Sequence, residues 1–275
     1  MIQFRKFYTV ASIVLLISAS FHPSKAEAKP SPGIAGGLSL VPGLGQISNG
    51  DTLEGVAWMA TILGGVFALN LNSYNKTALT DLWMYNIYDA YRDAGAHSAA
   101  KNSLLENWVS AFNPLNFWGP YSTVPLVYQA AMIAPSGHSD MAIGPNNKLS
   151  TPFYMSFIAL GEEGLFRGFV FPGLTDVFGG SAVVGATTSS LSFAAFHALY
   201  VGQSSYAFQP NIFLMRTALG LFYCWQTYHD KFDLRKSIFS HTWFDVLVEW
   251  DRQGMPGGGQ APQLTGFAIK TQIPF

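Results

Sequence analysis

Hydrophobic residues run through most of this chain in long stretches, and acidic and basic residues are gathered into islands between them. No Asp, Glu, Lys or Arg occurs from Gly55 to Asn75, from Asn107 to Ser139, from Leu149 to Gly161, or from Val177 to Met215. Thr217 to His229 is free of them as well. A membrane-spanning helix needs about 20 mostly apolar residues. The stretches predict helices at Glu54–Leu71, Phe117–Ala134, Pro152–Leu174, Ser181–Val201, Asn211–Tyr228 and Ser237–Trp250. Thr151 followed by Pro152 marks the start of the third, with Thr151 as N-cap. Asp81–Ala99 mixes Trp83, Ile87, Tyr88 and Tyr91 with Asp and Arg, and reads either as an interfacial helix or as a polar connector. The fold class expected is all-α, a polytopic transmembrane bundle of about six helices behind an N-terminal signal-like segment.

Composition sharpens this picture. Of the 275 residues, 49% are hydrophobic and only 11% charged, where a soluble domain carries about 25% charged residues. Disorder is excluded, because it needs low hydrophobicity and high charge. A net charge of −1 supplies no basic face for nucleic acid. The single cysteine, Cys224, excludes an internal disulfide framework and a cysteine-rich zinc site.

The N-terminus has the layout of a secretory leader. Arg5 and Lys6 precede the apolar run Thr9 to Phe21, and Ala26-Glu27-Ala28 offers a small-residue cleavage site. Residues 1–28 are therefore expected to form a signal peptide or a signal anchor, and the chain after Lys29 starts outside the cytoplasm. That orientation puts Lys76, Arg92 and Lys101 in one cytoplasmic segment and Lys231, Arg235 and Lys236 in another, as the positive-inside rule requires. The expected location is the bacterial inner membrane, crossed several times. Gly33–Gly50 is rich in Gly and Pro and resembles the opening turn of small glycine-rich membrane helix modules. Gly64-Gly65 would let a neighbouring helix approach closely. The Gly/Pro-rich tail after Trp250 ends in an alternating run, Phe267 to Phe275, that could form one short strand.

An ionisable group at the centre of an apolar helix costs about 2.5–3.5 kcal/mol or more, so each one is a candidate functional residue. Three segments supply them. In Gly161-Glu162-Glu163-Gly164-Leu165-Phe166-Arg167, Glu163 and Arg167 stand four apart with the acid first, the favourable order for a same-face pair. Glu162 points about 100° away and has no partner on its own helix, which suits a general base. Phe193-Ala194-Ala195-Phe196-His197 places an imidazole on the next helix. His241-Thr242-Trp243-Phe244-Asp245 puts an imidazole and a carboxylate on one face. Arg216, His229 and Asp230 lie at helix boundaries, where snorkelling accounts for them.

Taken together, Glu162-Glu163-x-x-x-Arg167, Phe193-x-x-x-His197 and His241-x-x-x-Asp245 resemble the motif set of the CAAX protease and bacteriocin-processing (CPBP) family of intramembrane glutamic proteases. The likeness covers about Thr151 to Asp251. It implies a membrane-embedded helical bundle with a polar cavity and no metal or other cofactor. It implies that Glu162, assisted by His197, activates a water that attacks a peptide carbonyl, and that His241 with Asp245 stabilises the oxyanion. Glu163, Arg167 and Phe193 would support the site. The last motif position looks like Asn in the family's prenyl-protein enzymes, whereas this chain has Asp245. An ionised carboxylate cannot donate to an oxyanion, so Asp245 is either protonated or orients His241 by accepting an N–H; the second is preferred.

The expected division is a leader over 1–28, a membrane region of unassigned role over 29–150, a protease-like core over 151–251 and a tail over 252–275. The partners expected are the lipid bilayer and a membrane-associated peptide or protein substrate. Two other functions fit the same residues. One is a metal-dependent hydrolase using Glu162, His197, His241 and Asp245 as ligands. The other is a non-catalytic scaffold or envelope assembly factor that retains the motifs.

Overall fold

In the computed structural model, residues 29–68, 73–96, 102–119, 123, 127, 150–200 and 210–253 are described. The leader, nearly all of the expected Phe117–Ala134 helix and the alternating tail fall outside these residues. Every regular element among the described residues is helical, in agreement with the expected all-α class. In chain order they are α1 (Pro32–Leu38), α2 (Leu44–Ser48), α3 (Thr52–Ala68), α4 (Ser73–Asp93), α5 (Leu104–Ser110) and a 3-10 turn (Pro114–Phe117). Then follow α6 (Thr151–Glu162), a π-helical segment (Glu163–Val170), α7 (Phe171–Val177), α8 (Ala182–Tyr200), α9 (Pro210–His229) and α10 (Arg235–Gln253). None of the described helices is long and apolar enough to cross a membrane.

The helix expected at Pro152–Leu174 is a single rod made of α6, the π segment and α7, beginning at Thr151 with Ser150 as its flanking residue. Pro172 lies in the first turn of α7. It has no N–H to give to a carbonyl one turn earlier, which favours a widened turn before it. Ser189 of α8 donates its hydroxyl to the Phe166 carbonyl at 2.7 Å, satisfying one acceptor of the widened stretch. Single π turns in α-helices concentrate at functional sites, and this one starts at Glu163.

α4 packs lengthwise against α6 and the π segment. Three glycines make that approach possible. A Cβ on Gly161 would sit 2.3 Å from the Asp81 carbonyl oxygen, and one on Gly168 would sit 2.3 Å from the Tyr88 ring. Gly164, between them, faces Tyr85. Because the obstacle at Gly161 is backbone, Gly161→Ala is expected to destabilise the protein by about 3 kcal/mol, readable as a lowered Tm of the purified variant.

α4 is not an interfacial helix. Asp81, Tyr85, Asn86, Tyr88, Asp89 and Tyr91 are all buried in it. Its polar groups are consumed inside the fold rather than offered to a headgroup layer. Gly43, at φ 80°, donates its N–H to Asn86 Oδ1 at 3.0 Å. Trp58 Nε1–H donates to Asp89 Oδ2 at 3.1 Å, Gln46 Nε2–H donates to the same oxygen at 3.3 Å, and Arg92 pairs with Asp89 Oδ1. The glycine-rich α1–α2 segment is thereby latched to α4.

α5 opens with a capping box between Ser103 and Glu106 and anchors the helices around it. Trp108 Nε1–H donates to Ser156 Oγ of α6 at 2.8 Å, and Trp243 Nε1–H of α10 donates to the Ala111 carbonyl at 2.9 Å. Trp58, Ile62, Tyr85, Tyr88, Leu160 and Ile238 pack together in the core beside them. α8 pairs with α9, and α10 lies against α6, so the three motif-bearing segments face one another.

Candidate active site

Glu162 is the last α-helical residue before the π segment, and its side chain is buried between two imidazoles from other helices. Oε1 lies 3.3 Å from His197 Nε2 and Oε2 lies 3.5 Å from His241 Nε2. The second contact lacks hydrogen-bond geometry, so Oε2 accepts no hydrogen bond from the described residues. Each imidazole is held from behind. His197 Nδ1 is 2.9 Å from the Phe193 carbonyl oxygen, one turn back on α8. His241 Nδ1 is 2.8 Å from Glu163 Oε1. Both acceptors can only receive, so each Nδ1 carries the proton and each Nε2 is turned toward Glu162.

Asp245 does not orient His241. Its Oδ2 is 3.6 Å from His241 Nε2, beyond hydrogen-bond range, and it approaches the nitrogen that also faces Glu162. The i,i+4 spacing does bring the two side chains together on one face of α10. However, the Nδ1 partner comes from across the bundle, as Glu163.

Glu163 and Arg167 are the expected same-face pair, with Oε1 3.2 Å from Nη1 and both side chains fully buried. The guanidinium nitrogens make no well-directed hydrogen bond among the described residues, so the pair is held by charge. The Phe193 ring centroid lies 4.4 Å from Arg167 Cζ and the Tyr223 centroid 5.1 Å from it. Aromatic faces attract a cation, and more strongly when it is desolvated. Phe193 thus serves the site twice, by its carbonyl toward His197 and by its ring toward Arg167. Glu163 is likewise shared, because the oxygen that meets Arg167 also meets His241 Nδ1.

Residues 145–247 match the model of the family described as type II CAAX prenyl endopeptidase Rce1-like. The likeness lies to the CAAX endopeptidases. All seven motif residues from Glu162 to Asp245 fall within the matched segment, which agrees with the CPBP resemblance of the motifs. This family in general is one of membrane-embedded proteases. No curated protein and no solved structure gives a significant match.

Three further residues interact with the motif residues. Arg216, on α9, interacts electrostatically with Glu162 and Asp245, which links this boundary residue to the motif carboxylates. Its sequence signal was the charge it places between two charge-free stretches. Asp81 is buried on α4, and its Oδ2 has no hydrogen-bond partner among the described residues. It interacts electrostatically with Glu162 and Asp245. Tyr223, seven residues after Arg216 and on the same face of α9, stacks on the His241 ring. Asp81 and Tyr223 carry no motif and reach the site only through tertiary packing.

Among the described residues, the donor atoms that converge as metal ligands do are those of Glu54, Asp89 and Asp93, within 4.8 Å of one another. Asp89 there is already engaged by Arg92, Trp58 and Gln46.

Proposed function

We propose that this protein is an intramembrane glutamic endopeptidase that hydrolyses a peptide bond of a membrane-associated protein or peptide. The observation that carries the proposal is the Glu162 carboxylate set between two imidazole Nε2 atoms whose Nδ1 positions are both fixed. With a proton on His197 Nε2, the 3.3 Å contact becomes a charge-assisted pair. Glu162 then takes a proton from water as the oxygen attacks the peptide carbonyl. His241, protonated at Nε2, donates to the oxyanion that forms. Collapse of the tetrahedral intermediate breaks the C–N bond, and the Glu162–His197 pair returns a proton to the leaving amine. Asp245 places a carboxylate 3.6 Å from His241 Nε2, beside the oxyanion position. Glu163 and Arg167 hold His241 and the π segment in register.

Membrane embedding draws support from the reversed polarity of α8 and α9. The exposed face of α9 carries Leu214, Leu221, Trp225 and Tyr228, while Tyr223, Gln226 and Thr227 are buried. On α8, Val183, Val184 and Leu191 are exposed while Ser189 and Ser190 are buried. An apolar exterior around a polar interior suits lipid as the surrounding solvent.

The test is cleavage by the purified full-length protein in detergent, scored against a library of membrane-partitioning peptides. Wild-type protein is expected to cleave a subset, and Glu162→Ala to cleave none. No step draws on a metal, so the rate is expected to persist after dialysis against a strong chelator. A rate abolished by the chelator and restored by zinc would transfer the reaction to the metal-hydrolase reading.

A further inference from the structure

Tyr223 is nearly fully buried, with 1% of its surface exposed, and its hydroxyl has no hydrogen-bond partner among the described residues. Buried phenols ordinarily find one, because an unsatisfied buried donor costs stability. Glu163, Asp245 and Glu162 all interact electrostatically with the phenol, yet none of them receives its hydrogen. The ring itself is well held. It lies stacked on His241 at 5.1 Å between centroids with 19° between planes, and the Arg167 guanidinium sits 5.1 Å from its centroid. The structure therefore fixes the ring against a motif histidine and leaves its one donor unspent.

The proposed chemistry lacks one donor of this kind. A tetrahedral intermediate is best held by more than one preorganised donor, and His241 offers a single N–H. Asp245, the other group beside that nitrogen, has no hydrogen to give when ionised. We propose that Tyr223 is a further catalytic residue, whose hydroxyl donates to the oxyanion beside His241 Nε2 during peptide hydrolysis. The role rests on the peptidase reading above. The phenol O–H is not transferred; it forms a hydrogen bond as the carbonyl oxygen gains charge and releases it when the carbonyl reforms. Thr242 also has a buried hydroxyl with no hydrogen-bond partner among the described residues, but nothing stacks it against a motif ring as Tyr223 is stacked on His241.

Tyr223→Phe separates the donor from the ring, because it keeps the stack on His241 and the face toward Arg167. The experiment uses full-length protein in detergent and the peptide that wild type cleaves fastest from the library. Tyr223→Phe is expected to lower kcat about 100-fold with KM within about twofold, as for a contact made only in the transition state. Its Tm is expected to stay at or above the wild-type value. Adding Asp245→Asn supplies a carboxamide N–H at the neighbouring position, so the double variant is expected to recover at least about tenfold of the lost rate. Tyr223→Leu, which removes the stack too, is expected to lower both rate and Tm. The proposal is overturned by a wild-type kcat in Tyr223→Phe, or by a loss that follows the folded fraction and is not rescued. It then fails alone, provided Glu162→Gln is inactive. If Glu162→Gln retains the wild-type rate, or wild type cleaves nothing, the peptidase reading fails and this role with it.

Discussion

Glu162→Gln is expected to lower kcat by about 10⁴-fold, the upper end of what a positioned general base contributes, while the protein stays folded. The carboxamide is nearly isosteric and cannot take a proton from water. It can accept from one imidazole N–H through its oxygen and donate through its nitrogen to the other imidazole if that ring is neutral. Both imidazoles keep their Nδ1 anchors, at the Phe193 carbonyl and at Glu163. Relief of a buried charge also removes a desolvation cost. The Tm of Glu162→Gln is therefore expected within a few degrees of wild type or above it. A variant that is inactive and also unfolded would assign Glu162 a structural role instead.

Glu163→Gln is expected to do the reverse. The Glu163 carboxylate is the anion closest to the fully buried Arg167, at 3.2 Å, and its Oε1 is also the acceptor for His241 Nδ1. Breaking one side of a buried pair costs about 3–5 kcal/mol, because the remaining charge is left uncompensated. The two aromatic rings beside Arg167 stay in place but supply less than a full counter-charge. A large fall in Tm is expected, measured by thermal unfolding in detergent. The activity of the protein that remains folded should also fall, since a carboxamide can present its N–H to Nδ1 and so select the other tautomer of His241. A Glu163→Gln variant with normal Tm and normal kcat per folded molecule would refute the shared role of this oxygen.

The contrast between these neighbouring acids was visible in the sequence, and its cause was only half visible. Helical spacing alone paired Glu163 with Arg167 and left Glu162 unpartnered on its own helix, and the structure agrees on both points. The second duty of Glu163, toward His241, depends on how α10 meets the π segment, and no spacing within one helix encodes that. The same limit explains Asp245. Four residues after His241 it must share a face with it, yet which ring nitrogen it meets is decided by the neighbouring helices. α4 was harder to read, because buried carboxylates and tyrosines look like an interfacial pattern until the partners from α2 and α3 are in place. Gly161, Gly164 and Gly168 are legible in retrospect as the stripe that admits α4, but a glycine stripe does not name its partner. Tyr223 carries no charge and no motif, and only its stacking on His241 and its idle hydroxyl single it out.

The central claim is that Glu162 hydrolyses peptide bonds in membrane-associated polypeptides. Its most direct test is a comparison of new peptide termini in membranes holding equal amounts of folded wild-type or Glu162→Gln protein. The proposed mechanism predicts a set of termini present with wild type and missing with Glu162→Gln, and the same cut reproduced by purified wild-type protein on a synthetic peptide spanning it. Identical termini in the two membranes, together with equal rates on that peptide, would contradict it.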